Sequence, residues 1–350
     1  MTLAEWGEPD PTALTWLTPP PSGRLTAARS DLIALGALIE TGALTEKGAE
    51  MIKLPMSPRF AALIAGASSK SDNALAARIA ALASERGVGG HSADLTERLA
   101  RFEQESSRRG KQLRRQAERW GGSAAPAGKP SDVLARGWPD MIARKRAGTQ
   151  DQYLLASGRA GQVDATSSLA KSDWLVVADM VGGAKSARIT LAAPLTEAKA
   201  LEFGHVETRD EAEFDPKVGA FQARRVKAVG AIILNEQPLP KPSAAVAKAA
   251  FLEHITREGF APTGLASTID ELLARISCIS AVSNEDWPDW QSDGLQSSVS
   301  DWLGPALSDK SFSLPTPATL RDALKAQLEW PLPQKLDQQA PLALTLPSVR

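Results

Sequence analysis

The sequence is poor in the residues on which active-site chemistry usually depends. One cysteine, Cys278, among 350 residues excludes an internal disulfide and fits a reducing compartment. Three histidines, His91, His205 and His254, lie far apart and in none of the short spacings that present metal ligands. Charge of one sign is missing too. Forty Lys+Arg against 41 Asp+Glu leave a formal net charge of −1, so any nucleic-acid surface must be a local patch. No apolar run approaches the roughly 18 residues of a membrane span. Met1–Pro11 carries Glu5, Glu8 and Asp10 and lacks the basic-then-apolar order of a signal peptide. Hydrophobic residues at 43% and charged residues at 23% exclude wholesale disorder and collagen-like repeats. The absences predict a soluble cytoplasmic protein of two or three domains at about 150 residues each.

Catalytic motifs are also lacking. A phosphate loop must end in Gly-Lys-Ser/Thr, because backbone amides and the lysine cradle the phosphates. Gly110-Lys111 and Gly128-Lys129 continue instead into Gln112 and Pro130. Asp210-Glu211-Ala212-Glu213 superficially resembles an acidic helicase motif, but no phosphate loop accompanies it, and a solvated turn is the expectation. Ser157-Gly158 and Ser186 have no nucleophile-elbow context. Cys278, next to Ile276 and Ile279 in sequence, reads as a small buried hydrophobe.

What is present is a change of period along the chain. Residues 1–120 read as short, closely joined helices. Leu25, Ala28, Leu32, Leu35 and Ile39 share one helix face and Gly42 follows as a stop. Thr45 is placed to cap a helix over Glu46–Lys53, Ser57-Pro58 opens another, and a fourth runs from Asp72 to Arg86. From Asp94 one long stripe (Leu95, Leu99, Phe102, Ser106, Arg109, Leu113, Ala117, Trp120) is flanked by many arginines. The small-residue stretch 121–132 reads as a linker.

Short β-rich runs follow at Tyr153–Ala156, Trp174–Met180, Arg188–Ala192, Phe203–Thr208 and Phe221–Leu234, separated by turn-like residues. Five such strands predict a small OB-like barrel within 133–240, with an open sandwich as the alternative. Helices return over 241–350: Ser243 caps Ala244–Glu258, Thr268 to Glu271 reads as a capping box, and Thr319 with Asp322 as a weaker one. Trp287, Trp290, Trp302 and Trp330 lie in this last third.

The candidate chemistry is electrostatic. Arg144, Lys145 and Arg146 lie just before Tyr153, and Arg224, Arg225 and Lys227 lie in the last expected barrel strand. A barrel face with such residues can follow a phosphate backbone, with Tyr153 as a platform for a base. The alternative is a solvated charged surface. The Arg108–Arg119 helix is a competing patch. Its basic residues recur on several faces among glutamates, which reads as solvated surface.

The order of the segments resembles a known family. Leu35–Ile39 (LGALI), Leu44–Gly48 (LTEKG) and Met51–Arg59 (MIKLPMSPR) look like the winged-helix and helical-bundle junction of DEAH-box helicases. Trp138–Arg144 (WPDMIAR), Tyr153–Arg159 (YLLASGR), Trp174–Asp179 (WLVVAD) and Arg188–Pro194 (RITLAAP) resemble the barrel region of the bacterial HrpB-type branch. Leu328-Glu329-Trp330, Leu336-Asp337, Ala340-Pro341 and Leu346-Pro347-Ser348 look like that branch's C-terminal module.

The resemblance implies an α+β multidomain chain. A helical domain (1–120), partial winged helix plus ratchet-like, would be followed by a linker (121–132), an OB-like barrel domain (133–240) and a truncated α-rich C-terminal module (241–350). It implies an accessory, nucleic-acid-clamping role in an ATP-dependent RNA helicase. The two motor domains, with their ATP and Mg, would precede Met1, so this chain alone is expected to be inactive on ATP. Its expected partners are single-stranded nucleic acid, RNA by the family's description, and motor domains of the same or a neighbouring gene product, with no membrane. The rival expectation is a protein-interaction scaffold that docks partners on the Trp-rich C-terminal third.

Overall fold

The computed structural model describes residues 1–8, 10–85, 87–183, 186–283 and 285–342. The Leu346–Ser348 motif and the expected helix end at Arg86 lie outside them. Contacts divide the chain into two units, Met1–Glu207 with Ala228–Leu234, and Thr208–Lys227 with Asn235–Arg350.

The first unit begins with a single helical turn, α1 (Thr2–Glu5), and α2 (Ser22–Ala34). The helix α2 ends before the expected Gly42, because Gly36 turns the chain at φ 72. Ile39 is consequently off the helix and 50% exposed. Thr45 caps α3 (Glu46–Ile52) as its spacing predicts, its hydroxyl accepting from Gly48 N at 2.9 Å. Gly48 itself is required by close approach: a Cβ there would lie 2.2 Å from the Ala37 carbonyl oxygen. Ser57 and Pro58 open α4 (Pro58–Ala65), and α5 (Lys70–Ser84) buries Leu75, Ile79 and Leu82.

The long stripe from Asp94 is two helices, α6 (Leu95–Gln104) and α7 (Arg108–Gly121). The break is local chemistry: Ser107 takes extended backbone and its hydroxyl accepts from Gly110 N at 3.0 Å, starting a new helix. The inward face of α7 is Gly110, Leu113, Ala117 and Gly121. At Gly121 a Cβ would come within 2.5 Å of the Ala77 side chain, so α7 lies close against α5. Between α7 and α8 (Pro130–Ala135) the small-residue stretch returns along α5, with Ala127 N donating to Ser71 O at 3.3 Å.

The barrel consists of β1 (Ile142–Lys145), β2 (Gln152–Leu155), β3 (Ala160–Gln162), β4 (Trp174–Gly183) and β5 (Ser186–Leu195), closed in the order β1-β2-β3-β5-β4. All pairs are antiparallel except β3 with β5. Closure removes the open-sandwich alternative. Five strands close as expected, but they are not the expected five. The short β1 and β3 belong to the barrel, whereas the chain after β5 leaves it through α9 (Glu197–Phe203) for a separate three-stranded sheet, β6 (Glu207–Asp215), β7 (Ala220–Val229) and β8 (Ile232–Leu239). The barrel is filled by Tyr153, Leu155, Val163, Leu169, Leu175, Val177 and Ile189. It is tied to the start of α6 and the residues just before it through Ala192 N donating to Ala93 O at 2.8 Å, and through Ser168, whose hydroxyl bridges Asp94 and Glu97 at 2.8 Å each.

The second unit holds most of β6, β7 and β8 together with α10 (Ala244–Glu258), α11 (Ala266–Ser280), α12 (Ser292–Ser297), α13 (Val299–Trp302), α14 (Pro317–Lys325) and α15 (Leu332–Gln339). Its core gathers Phe214, Phe251, Ile255, Ile269, Leu272, Ile276, Trp302, Leu320 and Leu336. Ser243 caps α10 as expected. The Thr268 capping box does not form, because α11 starts at Ala266, two residues before Thr268, and Thr268 is buried inside it. On α14 the box is formed by Thr316 with Thr319. Cys278 is exposed rather than buried: Leu272, Arg275, Ile276 and Ile279 take the inward face, and 278 falls outside that arc. Among the described residues no helix is long and apolar enough to cross a membrane.

Candidate nucleic-acid interface

The expected site residues fall in different environments. Arg144, on β1, places its guanidinium 5.5 Å from the Trp174 ring centroid and donates to Ile233 O at 3.3 Å. Lys145 is largely covered and reaches Asp173 at 3.4 Å. Arg146 is exposed and makes no ion pair among the described residues. These three residues line an open cleft of about 860 Å³ whose floor includes Leu154, Trp174 and Ile232. Two of the three cations are thus engaged and one is free.

Tyr153 is not at the surface. It is fully buried, and its hydroxyl donates to the carbonyls of Leu169 (2.9 Å) and Ser172 (2.7 Å). Burial, then the carboxylates of Asp173 and Asp151, push its phenol up to about 12. The ring is a core element that ties β2 to the segment before β4. It presents no face on which a base can stack.

Arg224, Arg225 and Lys227 lie on β7, outside the barrel. Their neighbour on the sheet is the acidic run expected to be a solvated turn, which is instead part of β6. Arg225 donates to Asp210 from Nε at 2.7 Å and from Nη2 at 3.0 Å. Arg224 donates to Glu211 at 2.9 Å and to Glu236 on β8 at 2.8 Å. The carboxyl of Asp210 is held low by its hydrogen bond from Arg225. Burial would raise that of Glu211, but the guanidiniums of Arg209 and Arg224 bring it below the usual range. The two arginines are therefore neutralised within the sheet by cross-strand pairs. Lys227 is exposed and makes no ion pair among the described residues.

The helix α7 carries what sequence reasoning set aside. Two arginines of its run are committed inward or sideways: Arg109 pairs with Glu85, and Arg114 donates to the carbonyls of Phe102 and Glu105 while lying 5.7 Å from the Phe102 ring centroid. Arg108, Lys111, Arg115 and Arg119 are exposed, and none makes an ion pair among the described residues. They recur at i, i+3, i+7 and i+11, which is one helix face. Each is two residues from a member of the buried set Gly110, Leu113, Ala117, Gly121, so the basic row points about 200° away from the core. The acid on this surface, Glu118, is turned to Arg78 at 3.1 Å. The signal was available at helical spacing, but which arginines of the run were free was not.

The C-terminal tryptophans do not make a docking face. Trp287 and Trp302 are buried, Trp302 Nε1 donating to Leu295 O at 2.9 Å, and Trp290 is half-buried against the core. Trp330 is 79% exposed. Among the described residues no group of three or more His, Cys, Asp or Glu is placed to hold a metal ion.

No family model matches the chain. It is 31% identical, across 99% of its length, to the ATP-dependent RNA helicase HrpB of Escherichia coli K12, of which it covers 43%. Two solved structures are similar as well. One is described as the E. coli DExH-box NTPase HrpB, with TM-score 0.67 and 28% identity over 97% of this chain and 42% of that one. The other is described as the E. coli DEAH/RHA helicase HrpB, with TM-score 0.69 and 27% identity over 99% of this chain and 44% of that one. The chain thus spans less than half the length of the relatives it matches.

Proposed function

Because the chain is of the HrpB type and corresponds to a helicase-related accessory region, we propose that it is the nucleic-acid-clamping part of an ATP-dependent RNA helicase. The observation that carries this reading is a likeness running through nearly the whole chain, helical part, barrel and C-terminal helices alike. Motor domains with ATP and Mg would be its working partners, in the same or a neighbouring gene product. The contribution of this region would be positional and electrostatic. A single strand is held by its phosphates while the motor moves it, and exposed cations supply the grip without reading bases.

The test is fluorescence anisotropy of the purified chain with labelled single-stranded RNA across a salt series. Binding that weakens steeply as salt rises is expected, since each phosphate contact releases counterions at a slope of about 0.7 per contact on single strands. Absence of binding at low salt, or affinity flat with salt, contradicts the reading.

A further inference from the structure

We propose that the outward face of α7 is the track on which this chain holds a single strand of nucleic acid, by phosphate contacts from Arg108, Lys111, Arg115 and Arg119. The inference rests on the reading above and assigns its site. From Arg108 to Arg119 the row runs about 16 Å along the helix, at about 1.5 Å per residue.

Several other arginines of the first unit have protein partners, whereas Arg146, like the row, makes no ion pair among the described residues. Arg59 pairs with Asp140, Arg78 with Glu118 and Glu103, Arg109 with Glu85, and Arg136 with Asp72. The four row residues do not, among the described residues. Within the row, Lys111–Arg115 and Arg115–Arg119 are like-charged i,i+4 neighbours, and Arg108–Lys111 are i,i+3 neighbours at the positive end of the helix dipole. Each of these arrangements disfavours the folded helix. A polyanion laid along the row offsets all of them with cation–phosphate attraction.

The chemistry of the face also narrows the ligand. A membrane-binding helix needs apolar residues beside its basic ones, and Leu113 and Ala117 are buried in the core. The row itself contains no aromatic residue, so it offers charge without stacking. Binding should therefore be indifferent to base identity.

The experiment compares the full chain with two variants. One carries Arg108→Gln, Lys111→Gln, Arg115→Gln and Arg119→Gln; the other carries Arg224→Gln and Arg225→Gln. Anisotropy is measured with oligouridine and oligoadenosine across a salt series, and melting temperature is measured at low salt. For the wild type, similar affinity for both probes is expected, with a log–log salt slope close to about −3. The row variant should lose about 100-fold or more in affinity near 0.1 M salt, together with most of the slope. It should melt no lower than wild type, because glutamine keeps the helix and removes the repulsion. The β7 variant should bind within about threefold of wild type.

Several results overturn the inference: row-variant affinity and slope unchanged from wild type, equal losses from both variants, or tighter binding of the wild type to phosphatidylserine vesicles than to either oligonucleotide. Wild type that fails to bind either probe at low salt removes the clamping reading itself. Wild type that binds undiminished by the row substitutions removes only the assignment to α7.

Discussion

Replacing Tyr153 with alanine is expected to destabilise the barrel by about 3–5 kcal/mol, the range for removing a large buried ring from a packed core. The ring is fully buried among Leu155, Leu169, Leu175 and Val177. Its hydroxyl also satisfies the Leu169 and Ser172 carbonyls in the turn that leads into β4. Tyr153→Phe separates these roles. It keeps the ring and removes the donor, at an expected loss of about 1–3 kcal/mol for the buried oxygens left without it. Urea unfolding followed by tryptophan fluorescence measures both. A Tyr153→Ala chain as stable as wild type would place the ring outside the core. For the folded Tyr153→Phe chain, RNA affinity should match wild type, since the substitution leaves the surface unchanged.

The second large effect concerns the frame that holds α7. Asp72, in the first turn of α5, receives Arg136 Nη1 at 2.6 Å and Nη2 at 2.8 Å, with Ser68 N at 2.8 Å. Arg136 also donates to Gly66 O at 3.2 Å, so one bidentate pair joins the start of α5 to the end of α8. Asp72→Asn should cost about 1.5–3 kcal/mol, as for hydrogen bonds to charged groups, because Arg136 is left partly buried without its counter-charge.

The loss should depend on pH in a defined direction. Burial pushes the Asp72 carboxyl up, but the hydrogen bonds from Arg136 and Ser68 outweigh it and hold the carboxyl below its ordinary value. A depressed carboxylate contributes stability that is fully present above its unfolded value of about 4 and is lost as pH falls through the folded value. The gap between wild type and Asp72→Asn should therefore be constant from neutral pH to about pH 5 and close below it. A gap of undiminished size at about pH 3 would mean that the carboxylate is not what holds Arg136.

Local signals in the sequence predicted local structure well. Thr45, Ser57-Pro58 and Ser243 open helices where their side chains and φ preferences place them. Pairings across the chain were not legible. The strand β6, with its run Thr208-Arg209-Asp210-Glu211-Ala212-Glu213, is dense in charge and shows no apolar alternation, so it read as solvated turn. Its stabilising partners, Arg224 and Arg225, are on the neighbouring strand. For the same reason a basic cluster on β7 read as a nucleic-acid face although the charges of Arg224 and Arg225 are already met. The strands β1 and β3, at four and three residues, are too short to show a period. Tyr153 looked like a ring beside three cations, and only the closed barrel reveals which way it points. On α7 the row was visible as spacing. What singles it out is that Arg109 and Arg114, in the same run, are engaged by Glu85 and by the Phe102 and Glu105 carbonyls.

Photocrosslinking of the wild-type chain to 4-thiouridine-containing single-stranded RNA, with the modified peptides identified by mass spectrometry, tests the central claim most directly. The account predicts that adducts concentrate in the peptides that contain Arg108 to Arg119 and disappear as salt is raised. Adducts concentrated on the β6–β7 peptides, with α7 unmodified at low salt, would contradict it.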